Sequence, residues 1–193
     1  MNVRVYNGFP CYAVIDQVVT PELAEAMMLL VDNRGGKSSY GGNPNTIEYR
    51  LESHVGSHLI TAGKVDDREE LLIGAEIQKA VTPLIPKIIE VFKNTALENI
   101  SGHRGFWIMR YGEGGEFTEH VDWSLDDDPN STPAVATMCI RLNDDYKGGE
   151  TLIDGHNVDV PVCGAYIWDG WTYHTACEVT LSLIHISEPT RPY

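Results

Sequence analysis

At 193 residues, with 14 Lys and Arg against 28 Asp and Glu for a net charge of −14, the chain is sized for one domain with a substantial core. Its acidity argues against a nucleic-acid partner, since the global field repels phosphate and no basic patch offsets it. A 42% hydrophobic content, with Trp and Tyr spread along the chain, excludes a disordered polyanion.

The four cysteines, Cys11, Cys139, Cys163 and Cys177, have no CxxC spacing, which fits free thiols better than a zinc knuckle or a disulfide framework. The N-terminus MNVRVYNGFP lacks the apolar core of a secretion signal. No apolar run nears the roughly 18 residues of a membrane span. The expectation is a cytoplasmic protein with no membrane partner.

Residues 3 to 19, rich in Val, Ile and Tyr, read as short strands on either side of a turn at Gly8-Phe9-Pro10. Thr20 is placed to cap a helix with Pro21 at its first position, running to a stop at Gly35-Gly36. Leu23, Met27, Leu30 and Val31 form its apolar stripe, and the pair Met27-Met28 is core filler. Gly35 to Asn45 reads as a long loop near a substrate entrance, and Ile47 to Leu51 as a short strand. A second helical region starts near Asp66-Asp67, with an interruption or kink at Pro83 and Pro86.

From Gly105 onward the hydrophobic period changes from 3.6 to 2. Strands are expected over Gly105 to Tyr111, through His120-Val121-Asp122, and over Ala134 to Leu142. Asn143 to Gly149 reads as a turn, with Gly148-Gly149 as its hairpin, and Glu150 to Ile153 as the return strand. Val158 to Val162, Ala165 to Trp168 and Tyr173 to Thr180 complete the series. With no helix between these strands, the pattern favours an α+β fold: a double-stranded β-helix (jelly roll) core with N-terminal supporting helices.

The densest chemistry lies in Tyr111 to Trp123, YGEGGEFTEHVDW. On an extended strand His120 and Asp122 project to the same face and can serve as two arms of a metal site. The best placed third ligand is His174, 174 − 122 = 52 residues beyond Asp122. Two imidazoles and one carboxylate on one face of a metal leave the opposite positions open, the arrangement of non-haem Fe(II) oxygenases. A zinc hydrolase with the same ligands is disfavoured, because nothing near the triplet supplies an obvious general base.

Other candidates are weaker. His54 and His58 lie four apart, but SHVGSHLITAG is a poor helix. The acidic run Asp126-Asp127-Asp128 reads as a solvated loop, and Trp168, Trp171 and Tyr173 as packing around the barrel mouth. His103, His156 and His185 have no partner spacing.

Several features recur in order: Tyr111-x-x-Gly114, His120-x-Asp122, Leu142-Asn143, Gly148-Gly149-Glu150-Thr151, Pro161-x-x-Gly164, and His174 with Val179 five residues on. In this ordered set, residues from about 104 to 180 resemble the catalytic core of the 2-oxoglutarate- and Fe(II)-dependent oxygenases, in the prolyl 4-hydroxylase-like branch. A lone HxD would carry little weight; the GGET stretch between HxD and the distal histidine makes the pattern specific.

The resemblance implies that His120, Asp122 and His174 hold Fe(II) and form the catalytic centre, and that Tyr111 and Thr151 contact the co-substrate 2-oxoglutarate. It implies coupling of oxidative decarboxylation to hydroxylation of an unactivated C–H bond in a peptide or small-molecule substrate, such as a prolyl residue. Ascorbate is an accessory reductant in this reading. The alternative is a metal-binding jelly-roll module without catalysis.

One departure stands out. Such enzymes bind the far carboxylate of 2-oxoglutarate with an Arg or Lys about ten residues past the distal histidine, after a Gly; this chain has Ser182 and Ile184 there. The stretch Leu181 to Tyr193, LSLIHISEPTRPY, resembles a sequencing-library adapter translated in frame, so the expectation is an oxygenase domain over 1–180 and a non-native tail over 181–193. Arg191, between Pro189 and Pro192, is too far along to replace the clamp.

Overall fold

The computed structural model describes residues 2–7, 10–34, 37–38, 43–51, 68–91, 106–122 and 136–182. His54, His58, His103, His185, the Asp126 to Asp128 run, Ile184 and Arg191 lie outside them.

Strands β1 (Val3–Asn7) and β2 (Cys11–Ile15) form the hairpin expected around Pro10. Helix α1 (Pro21–Arg34) begins where the capping signal lies: the Leu23 backbone N–H donates to the Thr20 hydroxyl at 3.2 Å. Lys37–Ser38 forms β3, a short strand inside the expected loop, paired with β4 (Thr46–Leu51). Helix α2 (Arg68–Val81) ends in a 3₁₀ turn over Thr82–Leu84 that carries Pro83. Helix α3 (Ile85–Val91) then starts with Pro86 in its first turn, where a missing N–H costs nothing.

The remaining strands are β5 (Phe106–Tyr111), β6 (Phe117–His120), β7 (Ala136–Ile140), β8 (Tyr146–Gly148), β9 (Thr151–Ile153), β10 (His156–Asn157), β11 (Ala165–Asp169), β12 (His174–Ala176) and β13 (Val179–Ser182). All described pairings are antiparallel. One four-stranded sheet runs β1-β2-β11-β7, a second runs β10-β9-β12-β6, and β13-β8 and β3-β4-β5 form smaller sheets.

Alternation along the first sheet divides its two faces. Ala13, Ile15 and Ile167 pack with Leu84 and Ile88, with Ala136 and Met138 against them. Met27, Leu30, Val31, Ile73, Ile77 and Val81 of α1 and α2 pack with Ile108 of β5 and with Met138 and Ile140. This face is the hydrophobic base of the protein. The opposite face carries Val14 and Trp168, which meet Ile153, Val158 and Val160, with Tyr12, Cys139 and Tyr166 packed against them. Ile153 belongs to β9, so this second cluster lies between the two four-stranded sheets.

Several expectations are corrected, among them the single strand over Tyr173 to Thr180, which breaks into β12 and β13 in different sheets. The strand through His120-Val121-Asp122 stops at His120, because its partner β12 begins at His174, directly opposite, and Asp122 sits on a bend. Val158 to Val162 is not a strand: Val158 and Val160 are buried, but among the described residues no ladder partner faces them and the segment ends in a turn closed by Gly164 N–H to Pro161 O at 2.9 Å. Gly148-Gly149 is not a hairpin turn. Strand β8 pairs with β13, whereas β9 pairs with β10 and β12, so the glycine pair is a corner between sheets.

That corner needs glycine. Gly148 has φ +71°, and a Cβ there would stand 2.3 Å from the Glu178 carbonyl oxygen. Gly155 has φ +73° with nothing within 4 Å of an added Cβ. Gly155→Ala should therefore cost only the left-handed backbone penalty of about 1–2 kcal/mol. Gly148→Ala should cost clearly more, because backbone must move as well; urea unfolding of the two variants measures the difference.

Candidate metal centre

His120 ends β6 and His174 opens β12, and the antiparallel register sets them directly opposite one another with ring centroids 4.1 Å apart. Asp122, just past the end of β6, turns back between them. Its Oδ1 lies 3.5 Å from His120 Nε2 and 3.5 Å from His174 Nε2. The potential ligand atoms of the three residues all lie within 4.8 Å of one another. Two donors bound at about 2.1 Å and near-perpendicular around one ion would stand roughly 3 Å apart. The trio is therefore close to the spacing a shared cation requires.

Neighbouring groups orient each ligand. The Thr137 hydroxyl of β7 donates to Asp122 Oδ2, leaving Oδ1 facing the two imidazoles. His120 Nδ1 lies 2.8 Å from the Thr118 carbonyl, which directs Nε2 toward Asp122. His174 Nδ1 has the Thr172 carbonyl at 3.1 Å and the Trp168 indole nitrogen at 3.2 Å. Thr175 of β12 donates to the Phe117 carbonyl at 2.7 Å, tying the two ligand strands together. His174 is nearly buried, while His120 and Asp122 are 30% and 24% exposed at the side chain, so the centre opens to solvent on one side.

The electrostatics follow from this crowding. Burial raises the Asp122 carboxyl, but hydrogen bonds from His120, His174 and Thr137 outweigh it and hold the group well below the usual carboxylate range. Burial lowers His120, yet the Asp122 and Thr118 hydrogen bonds leave it raised above its ordinary 6.5.

Next to the centre is a band of hydroxyl and thiol groups. Tyr166 of β11 and Thr151 of β9 share a hydrogen bond of 2.8 Å. Burial, with Cys139 and Tyr111 nearby, raises Tyr166 well above its ordinary value, so it stays a neutral phenol. Burial, then the Asp122 charge, pushes the Cys139 thiol up to about 12 against a Tyr166 hydrogen bond, so it stays protonated. Tyr111 and Thr151 are thus both in the neighbourhood of Tyr166.

Sequence reasoning missed Thr137, Tyr166 and the polar role of Trp168. Their signal was the alternation in ATMCI and AYIWD, where every second residue faces inward. Trp168 packs as expected, at 1% exposure, whereas Trp171 and Tyr173 lie outside the buried core at 41% and 57% exposure. The turn that presents them is fixed by Asp169 Oδ1, which accepts from the Trp171 backbone N–H and the Thr172 hydroxyl. His156 is exposed, and its Nδ1 lies 2.8 Å from the Asp154 carbonyl. All four cysteines are free. Among the described residues no helix is long and apolar enough to cross a membrane.

Neither a protein-family profile nor a curated protein sequence matches the chain. Solved structures do. The fold is similar to a prolyl-4-hydroxylase from Pseudomonas putida, with TM-score 0.57 and 12% identity over 88% of this chain and 86% of that one. It is also similar to a prolyl hydroxylase from Trichoplax adhaerens, solved with a hypoxia inducible factor oxygen degradation domain peptide fragment, with TM-score 0.58 and 13% identity over 88% of this chain and 78% of that one. The chain shares the prolyl hydroxylase fold and carries a His-Asp-His group suited to a metal ion.

The ion-pair character of the centre gives the metal-free protein a defined pH dependence. Asp122 is depressed, so its contribution to stability is present above its ordinary 3.8 and is lost as pH falls through the lower folded value. His120 is raised, so its contribution is present below 6.5 and is lost as pH rises through the folded value. Both are at full strength between those limits. In metal-free protein, Asp122→Asn should remove this dependence, and denaturant unfolding at stepped pH should show the wild type losing its advantage on each side of the window.

Proposed function

We propose that this chain is an Fe(II)- and 2-oxoglutarate-dependent dioxygenase that hydroxylates an unactivated C–H bond, with a prolyl or other amino-acid residue of a peptide as the substrate class. Residues 1–180 are its single domain, and the two antiparallel four-stranded sheets are read as its double-stranded β-helix. The observation that carries the reading is the convergence of His120, Asp122 and His174 at the end of one strand pair, with the Asp122 carboxylate between two imidazole nitrogens. The donor set fits the metal: two neutral nitrogens and one anionic oxygen on one side suit Fe(II) and leave positions for co-substrates. The prolyl hydroxylase fold of the neighbours supports the same conclusion, and the peptide held by one of them fits a peptide substrate.

Bound iron with 2-oxoglutarate would supply oxidative decarboxylation, giving succinate and CO2 and delivering one oxygen atom to the substrate. The protein's part is binding, orientation and exclusion of water. His120, Asp122 and His174 are assigned to the metal, with Thr137 holding the carboxylate in place. Tyr111 and Thr151 are assigned to 2-oxoglutarate, and Tyr166 joins them through its bond to Thr151.

These hydroxyl groups are neutral donors, whereas the far carboxylate carries a charge. Two described arginines that flank the site in sequence are engaged elsewhere: Arg110 pairs with Asp32, and Arg141 donates to the Asn143 and Val160 carbonyls. A carboxylate seated without a cation is held weakly.

Aerobic succinate release from 2-oxoglutarate by Fe(II)-loaded protein tests the reading, and His120→Ala and Asp122→Ala should each abolish it. Metal binding without succinate release from the wild type would favour the non-catalytic module instead. Calorimetry on Mn(II)-loaded 193-residue protein should show weak 2-oxoglutarate binding; tight binding would contradict the hydroxyl-only seat.

A further inference from the structure

We infer that Trp168 is a positioning residue that sets the tautomer of His174, so that a metal ion can seat on His174 Nε2 only after the Trp168–His174 hydrogen bond is given up. The second half of this inference rests on the metal-site reading above; the first half concerns the metal-free protein alone.

The geometry sets two demands on one atom. His174 Nδ1 lies 3.2 Å from Trp168 Nε1 and 3.1 Å from the Thr172 carbonyl oxygen. An indole N–H can only donate, so it needs a lone pair on Nδ1; a carbonyl can only accept, so it needs a proton there. A neutral imidazole nitrogen cannot offer both.

Burial decides which partner is satisfied without metal. Trp168 is 1% exposed, and its N–H has no other partner among the described residues. An orphaned buried N–H is rarer than an under-satisfied carbonyl, which has two lone pairs and tolerates weaker partners. The proton of His174 therefore sits on Nε2, directed toward Asp122 Oδ1 at 3.5 Å, and Nδ1 accepts from Trp168.

Metal reverses this. A bound cation takes the Nε2 lone pair, the proton must stand on Nδ1, and it then donates to the Thr172 carbonyl, the usual outer partner of a metal-bound imidazole. The indole N–H is left without an acceptor. His120 differs: among the described residues its Nδ1 faces the Thr118 carbonyl alone, so its Nε2 lone pair is already directed at the site. His120 and Asp122 are preset, and His174 is the ligand that must rearrange.

Trp168→Phe separates the two roles of the indole. It keeps an aromatic ring against the imidazole, where the centroids stand 4.7 Å apart, and removes the donor. Nitrogen-15 NMR of the histidines in metal-free wild type should place the His174 proton on Nε2, and addition of Zn(II) should move it to Nδ1 with a shift of the Trp168 indole N–H signal. In metal-free Trp168→Phe the proton should already sit on Nδ1. The variant should bind Zn(II), and Fe(II) under anaerobic conditions, on the order of tenfold more tightly, since no buried donor is orphaned on loading.

A metal-free wild type with the His174 proton on Nδ1 would overturn the inference. So would a folded variant with an unchanged tautomer or no gain in affinity. If the variant does not fold, the wild-type spectrum alone decides. Failure of the wild type to bind any divalent metal would defeat the functional reading, while the metal-free spectrum would still judge the role of Trp168.

Discussion

The antiparallel pairing of β12 with β6 is the constraint from which the site follows. It sets His174 opposite His120, and cross-strand neighbours of this kind keep their Cβ atoms about 5 Å apart whatever the side chains do. The pairing is held from both flanks. Strand β9 lies on the other side of β12, with Ile153 opposite His174, and the turn before β6 is fastened from three directions. Asn45 accepts from the Gly112 N–H, Asn43 donates to the Gly114 carbonyl, and Val179 exchanges backbone bonds with Gly114 and Gly115. The glycine-rich approach to the histidine is thus a clamped segment rather than a free loop.

The second constraint is the pleat of the central sheet. Residues of β2, β7 and β11 that face the helices are aliphatic, and those that face the other sheet include Thr137, Cys139, Tyr166 and Trp168. A one-residue slip in any of these strands would bring the aliphatic set to the metal centre and drive hydroxyls into the helix-facing core. The register that gives the protein its core is therefore the same register that gives it a polar interior beside His174.

Much of this was legible in the residues. The Thr20-Pro21 cap, the heptad-like stripe of Leu23, Met27, Leu30 and Val31, and the proline break after Val81 depend on local rules, and local rules are written in short stretches of chain. The HxD triplet with a distal histidine was legible because metal ligation restricts residue type sharply. What could not be read was partnership. Gly148-Gly149 looks like a hairpin until the strands on either side are seen to belong to different sheets, and Val158 to Val162 alternates like a strand yet has no ladder beside it among the described residues. Thr137 and Trp168 are ordinary strand residues by type; only long-range pairing shows that one faces Asp122 and the other His174.

The division between the two faces of β7 and β11 has an evolutionary consequence. Stability is drawn from the aliphatic face and the helices beneath it, whereas the opposite face sets the short polar side chain of Thr137 beside Asp122. A substitution at such a short polar position removes little buried apolar surface, so it draws little on the fold's stability. Such a scaffold can change what borders its His and Asp cluster, one short polar residue at a time, without first acquiring compensating mutations in its core.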